Sequence, residues 1–402
     1  MFYVGIDVSK HEHVIGVTDK NGKKLKKPLS IPNSMSGFDR ASEHLENIST
    51  TKKDLLVGME ATGHYWLALF CYLQNNDYSV VVINPIRTDA MRRFKGSSRV
   101  KTDAIDCFVI AETLRCGDFN PSKLSDESLI EMRNLTRLHQ SLKMNVADLK
   151  RQVITALDQV FPEYVSIFSD TFGESSKAFL KRCPTPDECI KIRVDSIANT
   201  LSKASHGKLG RQKAEQIKEI AKNSCGINFA LASFSFEIGL LIDQIDFIEK
   251  QIDDVEKKIY ESIEVVEPLI LTIPGIGHIL GAQIVSEIGD IQRFHSAPAV
   301  VKYAGINPSI SQSGKFNSSK NHITKQGNPY LRRALYLAAL GQLRLQTPFY
   351  DYYLKKRNDG KSHREALIAL ARKLVHVIYA VLKNQTAYDP NKSKIDDKSH
   401  LK

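Results

Sequence analysis

With 402 residues, 42% of them hydrophobic and 25% charged, the chain has the composition of a soluble globular protein long enough for two or three domains. No run approaches the roughly 18 apolar residues of a membrane span, and the N-terminus MFYVGIDVSK lacks the basic start and long apolar stretch of a secretion signal, which together predict a cytoplasmic protein. The formal net charge of +11 is unevenly placed: Lys302 to Asn384 carry fifteen Lys and Arg against three acids, the electrostatic footprint of a polyanion-binding surface, with a solvated face as the alternative. The six cysteines form no CxxC pair and no Cys/His spacing suited to zinc, so neither a disulfide framework nor a zinc module is predicted.

Along the chain, FYVGIDVS, HVIGVTD and KKLKKPLSI read as three successive short strands, with a KNGK turn between the second and third. A helical stretch, SGFDRASEHLENI, precedes the strand DLLVGMEA. A helix from His64 to Asn75, the buried strand YSVVVINP and a helix carrying TDAIDCFVIAETLRC follow. Strands and then strand–helix units predict an α/β domain with a mixed sheet over residues 1–124.

From about Ser125 the apolar period becomes about 3.5. Leu135, Leu142 and Leu149 recur every seven residues with Leu138 offset between them, and Phe234, Ile238, Leu241, Ile245, Ile248, Ile252, Val255 and Ile259 alternate spacings of four and three. This predicts a coiled-coil hairpin over 125–266, pairing within the chain or between subunits, with ordinary packed helices as the alternative. Residues 165–230 read as an insertion at its tip.

A helical domain over 267–388 opens with LTIPGIGHILGAQIVSEIGD. Its PGIG turn resembles a helix-hairpin-helix element, in which Gly275 and Gly277 let backbone N–H groups approach a phosphate; a tight packing turn is the alternative. A polar loop, VVKYAGINPSISQSGKFNSSKNHITKQGN, leads into two basic amphipathic helices, YLRRALYLAALGQLR and REALIALARKLVHVIYAVLK. Lys315, Lys320, Lys325, Arg332 and Arg333 are the nucleic-acid contacts predicted there. Residues 389–402 read as a disordered tail.

Four carboxylates fall where an α/β sheet collects its functional groups. Asp7 lies near the middle of the first strand, Glu60 ends LLVGME, and Asp103 and Asp106 stand one helical turn apart on one face. Converging acids repel one another unless a cation neutralises them. An all-oxygen set suits Mg2+ or Mn2+, ions that stabilise the attacking and leaving oxygens of a phosphoryl transfer. Singly each acid is weak: Asp7 also suits a turn cap, and an i,i+3 Asp pair a solvated helix face. Just before the aspartate pair, Arg87, Arg92, Arg93, Lys95, Arg99 and Lys101, with only Asp89 against them, suit a nucleic-acid backbone held beside the metal.

GIDVSK, GMEATG, VINP followed by KTDAID, then LTIPGIG, YAGINP, SG and GNPYLRRAL, in that order, resemble the insertion-sequence family 110 transposases. The resemblance covers roughly residues 1–160 and 235–388. It implies a RuvC-like (RNase H-like) N-terminal domain whose DEDD set falls on Asp7, Glu60, Asp103 and Asp106, and a C-terminal transposase domain whose catalytic serine falls on Ser313. Ser309, Ser311, Ser318 and Ser319 lie nearby; only the glycine that follows and the spacing from AGINP single out Ser313. What the family further implies is that the acids and Mg2+ activate this serine, which forms a covalent phosphoserine link to DNA. It also implies assembly as a dimer or tetramer through the coiled coil, with one protomer's acids meeting another's serine. A structured noncoding RNA of the element, the bridge RNA, would pair with target and donor DNA.

The residues alone leave other readings open. A junction-resolvase type of metal-dependent endonuclease uses water as the nucleophile and leaves Ser313 structural. A nucleic-acid-binding scaffold needs none of the acids for catalysis. A sugar-kinase or actin-like ATPase also starts with a GID strand, but the chain has no P-loop.

Overall fold

The structure, a computed structural model, describes residues 1–390 except 62, 96–101, 118, 120–125, 310–311, 314–315 and 318–321, and describes 312, 313, 316 and 317 through their backbone alone. The chain forms two compact units, Met1–Leu124 and Ser125–Lys402.

In the first unit, β1 (Phe2–Val8), β2 (Glu12–Thr18), β3 (Leu29–Pro32), β4 (Leu55–Glu60) and β5 (Ser79–Ile83) form a five-stranded sheet in the order β3-β2-β1-β4-β5. β2 is antiparallel to both its neighbours, while β1, β4 and β5 run parallel, so the sheet is mixed. At the KNGK turn, Gly22 adopts φ +82° and donates its N–H to the Asp19 carbonyl at 3.0 Å. The third strand is shorter than the segment KKLKKPLSI: Pro28 has no N–H for a ladder, and the lysines before it stay exposed.

Helices α1 (Met35–Glu46) and α2 (Trp66–Asn75) cover one face of the sheet; the second begins two residues after the expected His64. The first part of the basic run after the fifth strand is a helix, α3 (Pro85–Phe94), started by Asn84, whose side chain accepts from Ile86 N, and by Pro85. Helix α4 (Asp103–Cys116) lies on the opposite face of the sheet.

Alternation along the strands explains the two faces. Val4, Ile6, Val8, Val57 and Met59 pack with Phe38, Leu45, Leu69 and Phe70 of α1 and α2. On the other face Gly16, Gly5 and Gly58 stand in register across three adjacent strands. This row leaves a trough for α4: a Cβ at Gly5 would stand 1.9 Å from the Cys107 carbonyl oxygen, one at Gly16 2.7 Å from Cys107 Sγ, and one at Gly58 2.6 Å from Leu114 Cδ1. Every residue of α4 from Asp106 to Leu114 is buried, which is why its sequence shows no amphipathic stripe.

The second unit begins with α5 (Glu127–Val160). Four short helices follow, α6 (Glu174–Leu180), α7 (Pro186–Lys191), α8 (Val194–Ala204) and α9 (Arg211–Lys222), before the chain returns through α10 (Leu231–Val266). α5 and α10 pack antiparallel: His139 Nε2 meets Glu256 Oε1 at 2.7 Å and, further along, Lys150 Nζ meets Glu249 Oε1 at 2.9 Å. Met132, Leu135, His139, Leu142, Val146, Leu149, Val153, Ala156 and Val160 line the α5 side at alternating three- and four-residue steps. Leu138, read as part of this seam, is 47% exposed and lies off it, because it falls one step before His139 in the alternation. Tyr164 and, from the short helices, Phe179, Leu180, Ile197, Leu201 and Ile217 share one core with the distal end of the pair.

The chain then forms α11 (His278–Ile288), α12 (Ala297–Ala304), a short ribbon of β6 (Gln312–Ser313) and β7 (Phe316–Asn317), α13 (Pro329–Gly341), α14 (Pro348–Asn358) and α15 (His363–Asn384). Leu331, Leu335 and Ala338 of α13 share a core with Leu367, Leu370, Leu374 and Ile378 of α15. The tail expected over 389–402 lies outside the described residues beyond 390. No helix among the described residues is long and apolar enough to cross a membrane.

Candidate catalytic acids and serine ribbon

The parallel ladder of β1 and β4 has Ile6 opposite Met59 as its last pair, so the next residue of each strand, Asp7 and Glu60, stand side by side at the carboxyl ends. Asp7 lies near the end of β1, not its middle, because the chain turns back at once: the Ser9 hydroxyl and N–H both bond the Glu12 carbonyl. Each acid is two residues from a trough glycine and therefore on the face that α4 covers. Carboxyl ends of neighbouring parallel strands are where open α/β sheets present functional groups.

α4 contributes the other pair from its first turn, where carboxylates also suit the positive end of the helix dipole. Asp103 is exposed, whereas Asp106 is only 3% exposed. Beside it the Cys107 thiol is pushed up to about 12 by burial and then by the charge of Asp7, a sign of how near the strand acid comes to this turn. The buried Thr88 hydroxyl lies 2.9 Å from Glu60 Oε2 and 2.8 Å from the Pro85 carbonyl, holding the carboxylate against the start of α3.

Asp106 receives two hydrogen bonds from Arg92, Nε at 3.2 Å and Nη2 at 3.0 Å, both on Oδ1. The third nitrogen, Nη1, bonds Asp89 Oδ1 at 2.5 Å. Burial works to lower the Arg92 pKa, but Asp106, then Asp89 and Glu60, outweigh it and the net shift is upward. Among the described residues no three His, Cys, Asp or Glu side chains stand close enough together to hold a metal ion, and the charge balancing Asp106 as the side chains stand here is the Arg92 guanidinium. By chemistry the donor set fits a hard divalent cation: Asp7, Glu60 and Asp106 offer only carboxylate oxygens, from adjacent strand ends and from the helix packed over them.

The other basic residues of this segment have diverse surroundings. Arg87 stacks 4.9 Å over the Phe119 ring, Lys95 pairs with Glu112 at 3.3 Å, and Arg93 is exposed. Arg99 and Lys101 lie outside the described residues. Sequence reasoning missed Glu112, which is 8% exposed and also takes a bidentate pair from Arg115 at 2.7 and 2.8 Å. Its carboxyl is held down at about 2, first by Arg115 and then, against burial, by Lys95. Its i,i+3 spacing to Arg115 was the available signal.

In the second unit Ser313 belongs to an antiparallel ribbon rather than a shapeless loop. Ser313 pairs with Phe316 and Gln312 with Asn317, and nearer the base Pro308 bridges Ile323 while Ser309 N–H bonds the His322 carbonyl at 2.7 Å. Lys315 and Lys320 fall outside the described residues. Lys325 and Arg333 are exposed, while Arg332 braces the backbone, donating to the Ala304 and Lys325 carbonyls at 3.1 and 3.2 Å.

The two turn glycines differ. Gly275 has φ +76°, and a Cβ there would meet Gln342 Nε2 at 2.5 Å; that fully buried glutamine bonds the Pro274 carbonyl, so this residue serves packing. Gly277, the N-cap of α11, has open space beside it.

A buried polar network anchors the far side of the ribbon, and the sequence carried no periodic sign of it. Glu287, 1% exposed, takes a bidentate pair from Arg137 at 2.6 and 2.9 Å. It also accepts from Asn328 Nδ2 at 2.7 Å, and Asn328 caps α13 by accepting from Tyr330 N and Leu331 N.

Two family models match parts of this chain. A model of the DEDD transposase domain of IS110 elements, described as a transposase, matches residues 4–162, and one described as the transposase IS116/IS110/IS902 family matches 267–354. The chain is 26% identical to an uncharacterised protein of insertion element IS116 from Streptomyces clavuligerus, over 96% of both chains. It is 24% identical to the mini-circle putative transposase for IS117 of Streptomyces coelicolor, over 97% of this chain and 96% of that one. It is also 24% identical to the pilin gene-inverting protein of Moraxella lacunata, over 96% and 97%. The chain belongs to the IS110 family of transposases and is a DNA transposase or recombinase.

Proposed function

We propose that this transposase cleaves and rejoins the DNA strands of an insertion sequence through a phosphoserine intermediate, with Asp7, Glu60, Asp103 and Asp106 as the acid set and Ser313 as the nucleophile. The observation that carries this reading is the placement of Asp7 and Glu60 at neighbouring strand ends beneath the first turn of α4, on a mixed sheet ordered β3-β2-β1-β4-β5. Asp7, Glu60 and Asp106 would hold Mg2+ or Mn2+, with Asp103 at the exposed edge of the site. Such an ion, when bound, stabilises charge on the phosphate oxygens and lowers the barrier to their displacement.

Ser313 Oγ attacks the phosphorus of a DNA phosphodiester, so that an Oγ–P bond forms as a P–O bond to deoxyribose breaks. The serine gives up its proton and the leaving deoxyribose oxygen gains one, so the phosphodiester count is conserved and no water is consumed. Ribbon geometry suits this use, since β6 and β7 hold the Ser313 backbone in register. The α5/α10 pair, with its alternating three- and four-residue steps, packs as an antiparallel helical hairpin within the chain, and assembly of subunits through it is what the family resemblance implies. The fifteen cations between Lys302 and Asn384 support DNA and a structured guide RNA as partners, with sequence reading delegated to base pairing.

The test uses protein purified from cells carrying its flanking DNA, with any co-purifying RNA sequenced and used to design labelled substrates. A protease-sensitive, denaturant-resistant DNA adduct that Ser313→Ala loses is the expected result. Free hydrolysed ends made equally well by Ser313→Ala would assign the chain a water nucleophile instead.

A further inference from the structure

We propose that Arg92 is the resident counter-cation of the acid site and competes directly with a divalent metal ion for Asp106, so that metal enters as the guanidinium leaves. The proposal rests on the reading of Asp7, Glu60 and Asp106 as metal ligands.

Asp106 is almost wholly enclosed, and a carboxylate so placed needs a compensating charge. Arg92 supplies it with two N–H groups aimed at one oxygen, Oδ1. Its own position is set from the other side, because Asp89, one turn earlier on α3, takes the third nitrogen. The guanidinium is thus clamped between an enclosed acid and an exposed one, with the charge of Glu60 also acting on it.

Two consequences follow from this geometry. An oxygen engaged by two charged N–H groups at 3.0 and 3.2 Å is not available to a small cation, which the adjacent positive charge also repels. Arginine keeps its proton throughout the physiological range, so pH does not open the clamp. Displacement does, and a nucleic-acid phosphate is the anion whose geometry matches a guanidinium fork. The arginine therefore supplies enclosed Asp106 with its compensating charge before metal binds.

The test is a direct Mn2+ titration of the full, metal-free chain by calorimetry, without DNA, on wild type, R92Q, R92K, D106N and the R92Q/D106N double variant, each checked for folding by thermal melting. R92Q is expected to bind Mn2+ at least about tenfold more tightly than wild type, the scale of losing a charge-assisted competitor. R92K, which keeps the charge but loses the fork, is expected to fall between them, and the gain should vanish when Asp106 is also replaced. If R92Q does not fold, tighter binding by R92K carries the same expectation. Unchanged or weaker binding by the Arg92 variants overturns the proposal. So does a gain in R92Q with none in R92K, which would reduce the effect to charge at a distance. Absence of Mn2+ binding in all five proteins removes the metal reading itself, and the proposal with it.

Discussion

Gly5 lies so close beneath Cys107 that a Cβ on it would stand 1.9 Å from the Cys107 carbonyl oxygen. A backbone oxygen cannot swing aside as a side chain can, so this contact sets how deeply α4 sits on the sheet. The depth in turn sets where Asp106 stands relative to Asp7 and Glu60.

Gly5→Ala is therefore expected to destabilise the first unit by about 1–3 kcal/mol, through overpacking that lifts α4. Gly58→Ala meets the Leu114 side chain at 2.6 Å, which has rotamer freedom, and should cost less. Thermal melts of the two variants check the order, and an equal loss would mean that α4 is not seated by the Gly5 contact.

The two aspartates of α4 should separate stability from catalysis. Asp103→Asn changes an exposed side chain and is expected to stay within about 0.5 kcal/mol of wild type. Asp106→Asn removes the enclosed charge beneath Arg92 and should cost about 1–3 kcal/mol. Both are expected to abolish strand cleavage on labelled element-end DNA. Full cleavage by Asp106→Asn, measured alongside its melting curve, would leave that residue a purely structural role.

Glu112 predicts an acid-sensitive step. Its carboxyl is held at about 2, against an ordinary value of 4.5, by Arg115 and Lys95. A depressed acid contributes stability that is fully present above its unfolded pKa and is lost as pH falls through the window from 4.5 toward 2. Urea unfolding of wild type should thus lose on the order of 1–3 kcal/mol from this group over that window. Glu112→Gln should start lower at neutral pH and show a flatter acid limb; parallel limbs would assign the acid loss elsewhere.

Glu287 ties α11 to α5 and to the cap of α13 through Arg137 and Asn328. Removing Arg137 leaves a buried carboxylate without its cation, so Arg137→Ala is expected to cost about 3–5 kcal/mol. Asn328→Ala loses the cap and one bond to Glu287, for about 1–2 kcal/mol. Because both act through one carboxylate, the double variant should differ from the sum of the singles by at least about 0.5 kcal/mol. Additive losses in chemical denaturation would show the two bonds to be independent.

The local rules were legible in the residues themselves. Short apolar, β-rich runs marked the strands FYVGIDVS, DLLVGMEA and YSVVVINP, and the two-residue spacing puts Asp7 and Glu60 on the same faces as Gly5 and Gly58, because side chains alternate faces whatever they pack against. Steps of three and four placed the long α10, since one helical face must stay apolar to pack. Tertiary structure decided the rest. Alternation does not say which strands neighbour one another, so only the sheet order turned three scattered glycines into one trough for α4. Leu138 and His139 show the same limit, because apolar character favours the leucine for the seam while packing against Glu256 gives the place to the histidine. The basic run before Asp103 also read as one surface, whereas folding gives Arg92 to Asp106, Lys95 to Glu112 and Arg87 to Phe119. Charge in a sequence is a sum, but its partners are chosen by distance, and only the folded chain sets those distances.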